Sequence, residues 1–296
     1  MRGAVVALPN DPELASSLGK KGTANGILFF NRKINGIALT ALAAVQTEGK
    51  YYTYAQIVML ANVVVLSSKN VDAFFGEMLV ASSLLHKKVL ITADSEVGKL
   101  LKSAGVDYKI VAKESLQEAL LDYVPRQSAG FAEVNLDRAF PVAGIGDVAL
   151  GVVTRGSIKK HDVLFHSSGA KVTIRSIQIQ DEDVDLAQEG TRVGVSLKGI
   201  KYDEIEKGDV LASTLVKSTS SFKAELSLSK FVQGVKAEGR WQFVKNFSVS
   251  NATVEKSGDV FEVGLDKAVP LKDGDSFLLL RSEIPRIAAS GTVILR

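Results

Sequence analysis

The sequence predicts an α/β domain followed by two all-β barrels. Up to about residue 125, strand-like runs alternate with helix-like runs, a pattern that favours crossover connections and a mostly parallel sheet. From about residue 129 the helical periodicity disappears, and short apolar strands follow one another with glycine-containing turns between them. A Ser/Thr-rich stretch, STLVKSTSSF, divides this second part and reads as a linker. We therefore divide the chain into a head, residues 1–125, and two barrels, residues 129–213 and 221–296.

Strand-like and helix-like runs follow one another through the head. The strand-like runs are AVVAL, GILFF, IALTALAA, VVVLS, KVLIT and YKIV. The helix-like runs are TYAQIVMLA, VDAFFGEMLVASSLL, SEVGKLLKSAG and SLQEALLDY. Between the second and third strands, Asn35-Gly36 has the residue types of a hairpin turn, so we expect an antiparallel edge there. This order is that of a truncated Ras-like G domain, although other doubly wound folds share it.

Short strands separated by turn residues make up the rest of the chain. In the middle segment the glycines punctuate runs of valine and isoleucine, as the corners of a small barrel require. These glycines are Gly130, Gly144, Gly146, Gly151, Gly156, Gly169, Gly190, Gly194, Gly199 and Gly208. The last segment contains AELSLSKFV, WQFVKNFSVS, NATVEKS, DVFEVGL, FLLLRS and GTVIL, which we read as the strands of a second barrel.

The composition is that of a globular protein with several packed units. The chain has 296 residues, of which 46% are hydrophobic and 23% charged, and domains commonly run roughly 100 to 150 residues. There is no cysteine, which excludes disulfides, zinc ribbons and thiol nucleophiles. The first apolar run is too short for a signal peptide or a membrane span and reads as a buried strand. We expect a cytoplasmic protein with no membrane partner.

The charge balance permits contact with RNA without requiring it. The net charge is +3 and the isoelectric point is about 8.8, which equally describes a solvated mixed surface. We do not expect DNA as a partner. The histidines are His86, His161 and His166, and no carboxylate pair accompanies them at metal spacing. We therefore expect no catalytic metal.

A long ordered set of residues in the middle segment resembles one known family. The stretch VNLDRAFPVAGIGDVALGVVTRGSIKKHDVLF is similar to the opening of domain two in elongation factor Tu, archaeal elongation factor one alpha and the selenocysteine-specific elongation factor. The matching positions are Asp137, Arg138, Phe140, Gly144, Gly146, Val148, Gly151, Gly156, Ile158, Lys159 and Asp162. The likeness continues through VTIRSIQIQDEDVDLAQEGTRVGVSLKGIKYDEIEKGDVLA and is looser from FKAELSLS to EIPRIAASGTVILR, which resembles domain three. The chain thus resembles translational GTPases.

This resemblance implies a binding groove in the middle barrel. In the family, the groove beside the first strands of domain two holds the aminoacylated end of tRNA, or ribosomal RNA. The positions that correspond here are Phe140, Val142, Ile145 and Val148, with Gln180, Thr191, Arg192 and Val193 opposite. Ile145 is apolar where elongation factor Tu has a basic residue, which puts one phosphate or ribose contact in doubt. The matched glycines have a structural explanation in tight barrel bends and establish the fold rather than an activity.

The head departs from the family at the phosphate-binding loop. That loop needs Gly-x-x-x-x-Gly-Lys-[Ser/Thr], because backbone N–H groups surround the phosphates and the hydroxyl binds magnesium. The chain reads LPNDPELASSLGKKGT, with Leu14 in place of the first glycine and Lys21 in place of the hydroxyl. One interpretation is a basic loop that holds phosphate or RNA backbone without metal, made of Gly19, Lys20, Lys21, Gly22 and Thr23. The other, which we favour, is a solvated turn.

The other two nucleotide motifs are also missing from the sequence. Asp-x-x-Gly should follow IALTALAA, but the chain continues VQTEGKYYTY. Asn-Lys-x-Asp should follow KVLIT, but the chain reads ADSEVGK, where Asp94 is better explained as a helix cap than as a guanine contact. Phosphoryl transfer depends on positioned metal and cationic groups, so we expect no GTPase activity. GTP or GDP as a cofactor is not expected.

Two aromatic groups have both a functional and a structural interpretation. Tyr51, Tyr52 and Tyr54, which lie beside Lys50, have the residue types that stack on RNA bases, and they would equally pack a helix against the sheet. Trp241 lies near Arg240 and Lys245 and fits an ordinary barrel core.

Three functional hypotheses follow from the sequence. The first is a non-hydrolysing paralogue of an elongation factor that binds tRNA, the ribosome or both, with other translation factors as further partners. The second is a GTP-binding translation factor with an unusual phosphate loop around Gly19 to Thr23. The third is a protein-interaction scaffold that keeps the fold alone.

Overall fold

The computed structural model describes residues 1–24, 26–44, 51–69, 71–92, 97–126, 130–232 and 234–295. Within them the chain forms an α/β head followed by two closed six-stranded β-barrels. No described helix combines the length and the apolar character that a membrane span requires.

The head is built on a seven-stranded sheet. Its strands are β1 Arg2–Ala7, β2 Lys20–Ala24, β3 Ile27–Ile34, β4 Ile37–Ala44, β5 Val63–Ser67, β6 Lys88–Thr92 and β7 Tyr108–Val111. They lie in the order β2-β3-β4-β1-β5-β6-β7. The pairings from β4 through β7 are parallel and those from β2 to β4 antiparallel, which confirms the mostly parallel sheet.

Helices cover both faces of this sheet, as the alternating pattern predicts. They are α1 Pro12–Ser17, α2 Tyr52–Leu60, α3 Ala73–Leu84, α4 Val97–Ala104 and α5 Leu116–Leu121. Val5 and Ala7 of β1 face the core beneath α2 and α3, whereas Ala4 and Val6 face the core beneath α1 and α5. Side chains in a strand alternate between faces, so an entirely apolar strand is expected to be covered on both sides.

The predicted hairpin is confirmed, but it is not the edge of the sheet. Asn35 and Gly36 connect β3 and β4 with φ angles of 49° and 76°, the left-handed pair that a tight hairpin turn needs. Outside β3 lies β2, which sequence patterning did not predict because KKGTA has no alternation of apolar residues. The loop and the favoured solvated turn predicted for Gly19 to Thr23 were therefore both wrong as local structure, since most of this segment is an edge strand bonded to β3.

The middle barrel closes through antiparallel pairings. Its wall consists of β8 Glu133–Val142, β9 Gly146–Arg155, β11 Val163–His166, β12 Lys171–Ile179, β15 Arg192–Lys198 and β16 Val210–Ala212. Smaller strands flank it, namely β10 Ser157–Lys159, β13 Glu182–Val184 and β14 Leu186–Gln188. Gly151 lies opposite an irregularity in β8, where an added Cβ would stand 2.4 Å from the carbonyl oxygen of Asn135. Close approach of two strands, rather than positive φ, explains this glycine.

The last barrel starts earlier in the chain than the linker prediction allows. Its strands are β17 Ser218–Leu228, β18 Gly239–Lys245, β19 Ser248–Ser257, β20 Val260–Pro270, β21 Ser276–Leu280 and β22 Ile287–Ile294. The second half of STLVKSTSSF belongs to β17, whose polar residues lie mainly on the exposed side of the barrel wall. The predicted break between WQFVKNFSVS and NATVEKS was also wrong, because the chain turns at Asn246, where φ is 50°.

The head and the last barrel share one hydrophobic core. Helices α2 and α3 pack against Val244, Phe247 and Leu278 of the last barrel. Gln56 Nε2 donates to the carbonyl oxygen of Phe247 at 2.8 Å. The carboxylate of Glu77, a buried residue in α3, accepts backbone N–H bonds from Arg286 and Ile287 at 2.5 and 2.9 Å.

Candidate functional site between the head and the middle barrel

A cleft of about 590 Å³ separates the head from the middle barrel, and we refer to it as the interdomain cleft. Strands β2 and β3 of the head form one wall. Strands β8, β9, β12 and β15 of the barrel, together with the turns after β8 and β12, form the other wall. The head residues that line it are Lys20, Lys21, Gly22, Asn31, Arg32 and Lys33.

The cleft brings together two groups of residues that the sequence predicted separately. From the middle barrel it is lined by seven of the groove candidates, Phe140, Val142, Ile145, Val148, Gln180, Arg192 and Val193. From the head it is lined by three of the phosphate-loop candidates, Lys20, Lys21 and Gly22. Residues more than a hundred positions apart thus face the same space.

Two predicted residues have structural positions instead. Thr191 is fully buried, and its hydroxyl donates to the carbonyl oxygen of Gln188 at 2.6 Å. Gly19 lies against β3, where an added Cβ would stand 2.6 Å from the carbonyl oxygen of Asn31. The backbone of Thr23 belongs to β2, but its side chain lies outside the described set.

The head wall of the cleft is basic. Lys20, Lys21, Arg32 and Lys33 are all exposed. Lys33 forms an ion pair with Glu182 of the barrel, so three of these cations have no ion pair to a described residue. The sequence pattern did not single out Arg32 and Lys33, because GILFFNRKINGIALT was interpreted as two strands joined across Lys33 to Gly36. Polar residues at the outer end of an otherwise apolar strand were the available signal for an exposed surface.

The barrel wall is largely apolar at its first two strands. Phe140, Val142 and Val148 are half-buried, and 45% of Ile145 is exposed. The guanidinium of Arg138 lies 5.6 Å from the centre of the Phe140 ring, within the range of a cation–π contact. An exposed isoleucine beside a half-buried aromatic ring offers apolar surface to a ligand.

Arg192 joins the two walls at the base of the cleft. Its guanidinium lies 3.0 Å from the carboxylate of Asp137 and 3.4 Å from the centre of the Phe29 ring in β3. Both members of the ion pair are buried. These contacts give Arg192 a structural role between the barrel and the head.

Gln180 fastens the turn after β12 to the head. With φ at 53°, it directs its side chain so that Nε2 donates to the carbonyl oxygens of Arg32 and Leu39, at 3.2 and 3.1 Å. Contacts of Gln180 and Arg192 with the head therefore fix the position of one cleft wall relative to the other.

The connection after β1 is held by side-chain hydrogen bonds of Asn10 and Asp11. Asp11 caps α1 by accepting the backbone N–H of Leu14 at 2.8 Å, and Asn10 bonds both backbone groups of Ser67 through its amide. A carboxylate at this helix N-terminus takes the position and the donors that a phosphate would use. The segments in which the other two nucleotide motifs should fall include residues 45–50 and 93–96, which lie outside the described residues.

The tyrosines near the start of α2 are engaged in packing. The Arg286 guanidinium lies 3.7 Å from the centre of the Tyr51 ring, and Tyr54 makes an edge contact with Phe74 at 4.2 Å. Burial, followed by the nearby Tyr51, raises the pKa of Tyr54 above its usual value. Tyr52 also packs against the shared core, and Lys50 lies outside the described residues. The packing interpretation therefore accounts for these rings.

Trp241 belongs to the core of the last barrel. Only 7% of it is exposed, and its indole N–H donates to the carbonyl oxygen of Ala237 at 2.8 Å. The structural interpretation of this residue is confirmed.

Comparison with known proteins gives matches to translation factors. Residues 146–212 match the family model of elongation factor Tu domain 2. The chain is 25% identical over 294 residues to the uncharacterized protein MJ0325 of Methanocaldococcus jannaschii, covering 95% of this chain and 96% of that protein. It is 24% identical over 281 residues to the selenocysteine-specific elongation factor of the same organism, covering 83% of this chain and 59% of that factor.

Solved structures show the same fold. The translation elongation factor SelB of Methanococcus maripaludis, in complex with the GTP analogue GppNHp, superposes with a TM-score of 0.77 at 16% identity, covering 99% of this chain and 79% of that one. A bacterial selenocysteine-specific elongation factor also gives a TM-score of 0.77, at 15% identity, over 99% of this chain and 58% of the other.

Proposed function

Because the chain belongs to the translational GTPase superfamily, we propose that it is an elongation-factor-like protein that binds tRNA, the ribosome or both without hydrolysing GTP. The observation that carries the proposal is the interdomain cleft, which has a basic wall on the head and an apolar wall on the middle barrel. The ligand that this cleft would take is the single-stranded end of an RNA.

The two walls complement the two sides of a single RNA strand. Phosphates need cations that can replace their counterions, and Lys20, Lys21 and Arg32 supply these on the head side. Bases and attached apolar groups need aromatic or aliphatic surface, which Phe140 and Ile145 supply on the barrel side. Binding of this type requires no metal and no nucleotide.

Loss of GTP hydrolysis is supported at the phosphate-loop position. The Asp11 carboxylate lies at the position that the phosphates of a nucleotide would take. Repulsion between the two negative charges disfavours nucleotide binding. The sequence also lacks the hydroxyl that would hold magnesium after Gly19-Lys20. Catalysis of phosphoryl transfer depends on a bound metal ion and positioned cations, so these two departures from the phosphate-loop pattern support the proposed loss of hydrolysis.

A binding experiment with tRNA tests the proposal. Filter binding of deacylated and aminoacylated tRNA, and co-sedimentation with ribosomes, would be measured from low to high salt. The double variant Lys20→Ala/Lys21→Ala should weaken binding and lower the slope of log K against log salt by about 1.4, as expected for two lost contacts to a single strand. The matched control is Lys159→Ala/Lys160→Ala, an exposed lysine pair of the middle barrel that does not line the cleft.

Two results would contradict the proposal. One is the failure of the wild-type protein to retain either tRNA or ribosomes at low salt. The other is an equal loss of binding in the two double variants, which would assign the affinity to general surface charge rather than to the cleft.

A further inference from the structure

A row of basic residues lies on the outer face of the middle barrel, beyond the interdomain cleft. Lys171 and Arg175 belong to β12 and Lys198 ends β15, and all three are exposed. Next to them on β11 are Val163, which is 57% exposed, and the half-buried Phe165. We refer to these five residues as the lateral surface.

The lateral surface is continuous with the interdomain cleft along two neighbouring strands. Ser176 of β12 and Ser196 of β15 lie opposite each other, and both line the cleft. Side chains two positions apart on a strand share a face, so Lys198 continues the line of Ser196 away from the cleft. On β12 a register irregularity between Ile174 and Ser176 gives Arg175 an exposed, outward position. A ligand in the cleft can therefore extend onto the lateral surface along the same face of the barrel wall.

Arg175 lies at the boundary between the cleft and the lateral surface. An added Cβ on Gly146 would stand 3.5 Å from Arg175 Nη1, so the guanidinium lies beside the turn between β8 and β9. Ile145, in the same turn, lines the cleft. The guanidinium of Arg175 is therefore the first cation of the lateral surface that a ligand leaving the cleft on this side meets.

Cross-strand pairing sets the dimensions of the lateral surface. Thr173 of β12 pairs with Lys198 on one side and with Val163 on the other, and Lys171 pairs with Phe165. Directly opposite side chains have Cβ atoms about 5 Å apart. From position 176 in the cleft wall to position 171, β12 extends roughly 17 Å at about 3.4 Å per residue. The surface is thus long enough for several units of a linear polymer.

The cations of the lateral surface have no acidic neighbours within their own strands. β11, β12 and β15 contain no aspartate and no glutamate. In the part of the chain that the structure describes, Lys171, Arg175 and Lys198 form no ion pair. Lys171 Nζ lies 5.7 Å from the centre of the Phe165 ring, so a cation and an aromatic face are presented side by side.

Acidic residues that adjoin these strands are engaged or directed elsewhere. Asp162, before β11, accepts a backbone N–H of the preceding turn at 2.7 Å. After β12, Asp181 lines the cleft, Glu182 pairs with a lysine of the head, and Asp183 accepts from a glutamine amide at 3.0 Å. Asp147 of β9 precedes a residue that lines the cleft, so alternation directs it to the opposite face of the wall. The lateral surface therefore keeps its positive charge.

We propose that the lateral surface binds the backbone of the same single-stranded RNA whose end enters the interdomain cleft, so that the strand runs from the cleft past Arg175 to Lys171 and Lys198. The inference rests on the proposed function and adds the path of the RNA outside the cleft. Cations without internal partners replace the counterions of phosphates, and the Phe165 ring offers a base a surface to stack on. Continuity with the cleft favours one polymer over two separate ligands.

Binding of single-stranded oligoribonucleotides of increasing length tests this path. Fluorescence anisotropy would be measured with labelled strands of about 4 to 16 nucleotides, the range of site sizes known for small barrels. The shortest strands that bind should have equal affinity for the wild-type protein and for Lys171→Gln/Lys198→Gln. With the longest strands the variant should bind about tenfold more weakly, and its slope of log K against log salt should be lower by about 1.4. The control Lys223→Gln/Lys256→Gln, two exposed lysines of the last barrel, and the charge-preserving Lys171→Arg/Lys198→Arg should bind like the wild-type protein at every length.

The wild-type protein alone provides a second measurement that needs no variant. Its salt slope should be larger for the longest strands than for the shortest by about 2, as expected for three further contacts to a single strand, and equal slopes would overturn the inference. Polyglutamate of matched charge should displace the longest strand at least about tenfold less effectively than unlabelled RNA, and equal displacement would assign the surface to an acidic protein segment instead.

The outcomes separate this inference from the proposed function. If the wild-type protein binds RNA and Lys171→Gln/Lys198→Gln binds it equally well at every length, the lateral path is wrong and the proposed function stands. A loss of the same size at every length would also overturn the path, because these cations would then act on the RNA end itself. Failure of the wild-type protein to bind strands of any length would overturn both.

Discussion

Arg192 shows how one residue can have a family-based interpretation and a different structural role. Its position in the middle barrel corresponds to the groove that holds an RNA end in the family, and the structure places it in a buried ion pair with Asp137 beneath the Phe29 ring. The ion pair fixes the guanidinium within the middle barrel, and the contact with Phe29 of β3 links it to the head. The cations that remain exposed in the cleft are on the head.

Replacing Arg192 should destabilise the protein strongly. In Arg192→Met the Asp137 carboxylate, 2% exposed, stays buried without its cation, and we expect a loss of about 3 to 5 kcal/mol in the free energy of unfolding. Urea unfolding followed by far-UV circular dichroism would measure it. The double variant Arg192→Met/Asp137→Leu removes both charges and should recover most of the loss. A similar loss in the single and double variants would show that packing of the arginine on Phe29 dominates.

Lys87 should make stability depend on pH in the alkaline range. Burial lowers its folded-state pKa to about 8 from the reference value of 10.5, so between these values the unfolded chain binds more protons and stability rises with pH. The shift corresponds to about 3 kcal/mol at most. We therefore compare the free energies of unfolding of the wild-type protein and Lys87→Met. The difference between them should rise by up to about 3 kcal/mol, in favour of the wild-type protein, between pH 8 and 10.5. Parallel curves for the two proteins would contradict the assignment.

At the scale of elements, α1 and β2 occupy the chain positions at which the family has its phosphate-binding loop. A six-residue helix capped by Asp11 follows β1, and the Gly-Lys pair after it leads into an edge strand rather than into a long helix. Backbone N–H groups that would surround a phosphate in a loop are used instead for pairing with β3. The same change places Lys20 and Lys21 at the wall of the interdomain cleft.

A nucleotide titration checks the consequence of this replacement. Because Asp11 occupies the helix N-terminus, we expect neither GTP nor GDP to bind in the micromolar range, with or without magnesium, and no phosphate release above background. Isothermal titration calorimetry and a phosphate-release assay would measure these. An active elongation factor run in parallel serves as the positive control. GTP turnover above background would contradict the proposed function.

At the scale of the whole molecule, the head and the last barrel behave as parts of one packed unit. Their shared core contains residues of α2, α3, β18 and β21. At the edge of this core, the backbone N–H groups of Arg286 and Ile287 donate hydrogen bonds to the Glu77 carboxylate. Such an interface resists rotation of the head on the barrels, because both the apolar core and the buried carboxylate would be exposed.

Removing Glu77 should uncouple the two parts. In Glu77→Ala the backbone N–H groups of Arg286 and Ile287 lose their acceptor at the interface between the head and the last barrel. We expect the free energy of unfolding to fall by about 2 to 4 kcal/mol. Differential scanning calorimetry should show one transition in the wild-type protein and an earlier, broader or divided transition in the variant. Glu13→Ala is the matched control, since that side chain is 85% exposed in a surface ion pair. Equal effects of the two substitutions would argue against coupling through Glu77.

The sequence by itself determined the α/β head, the Asn35-Gly36 hairpin and the relationship of the middle barrel to elongation factor Tu domain 2. These features depend on periodic burial and on turn residues, which are local properties of the chain. Tertiary structure alone decided that KKGTA is a strand, that Lys21 faces the same cleft as Phe140, and that Thr191 is buried against the head. Strand pairing and approach between domains depend on contacts between residues far apart in sequence, and no local pattern encodes such contacts.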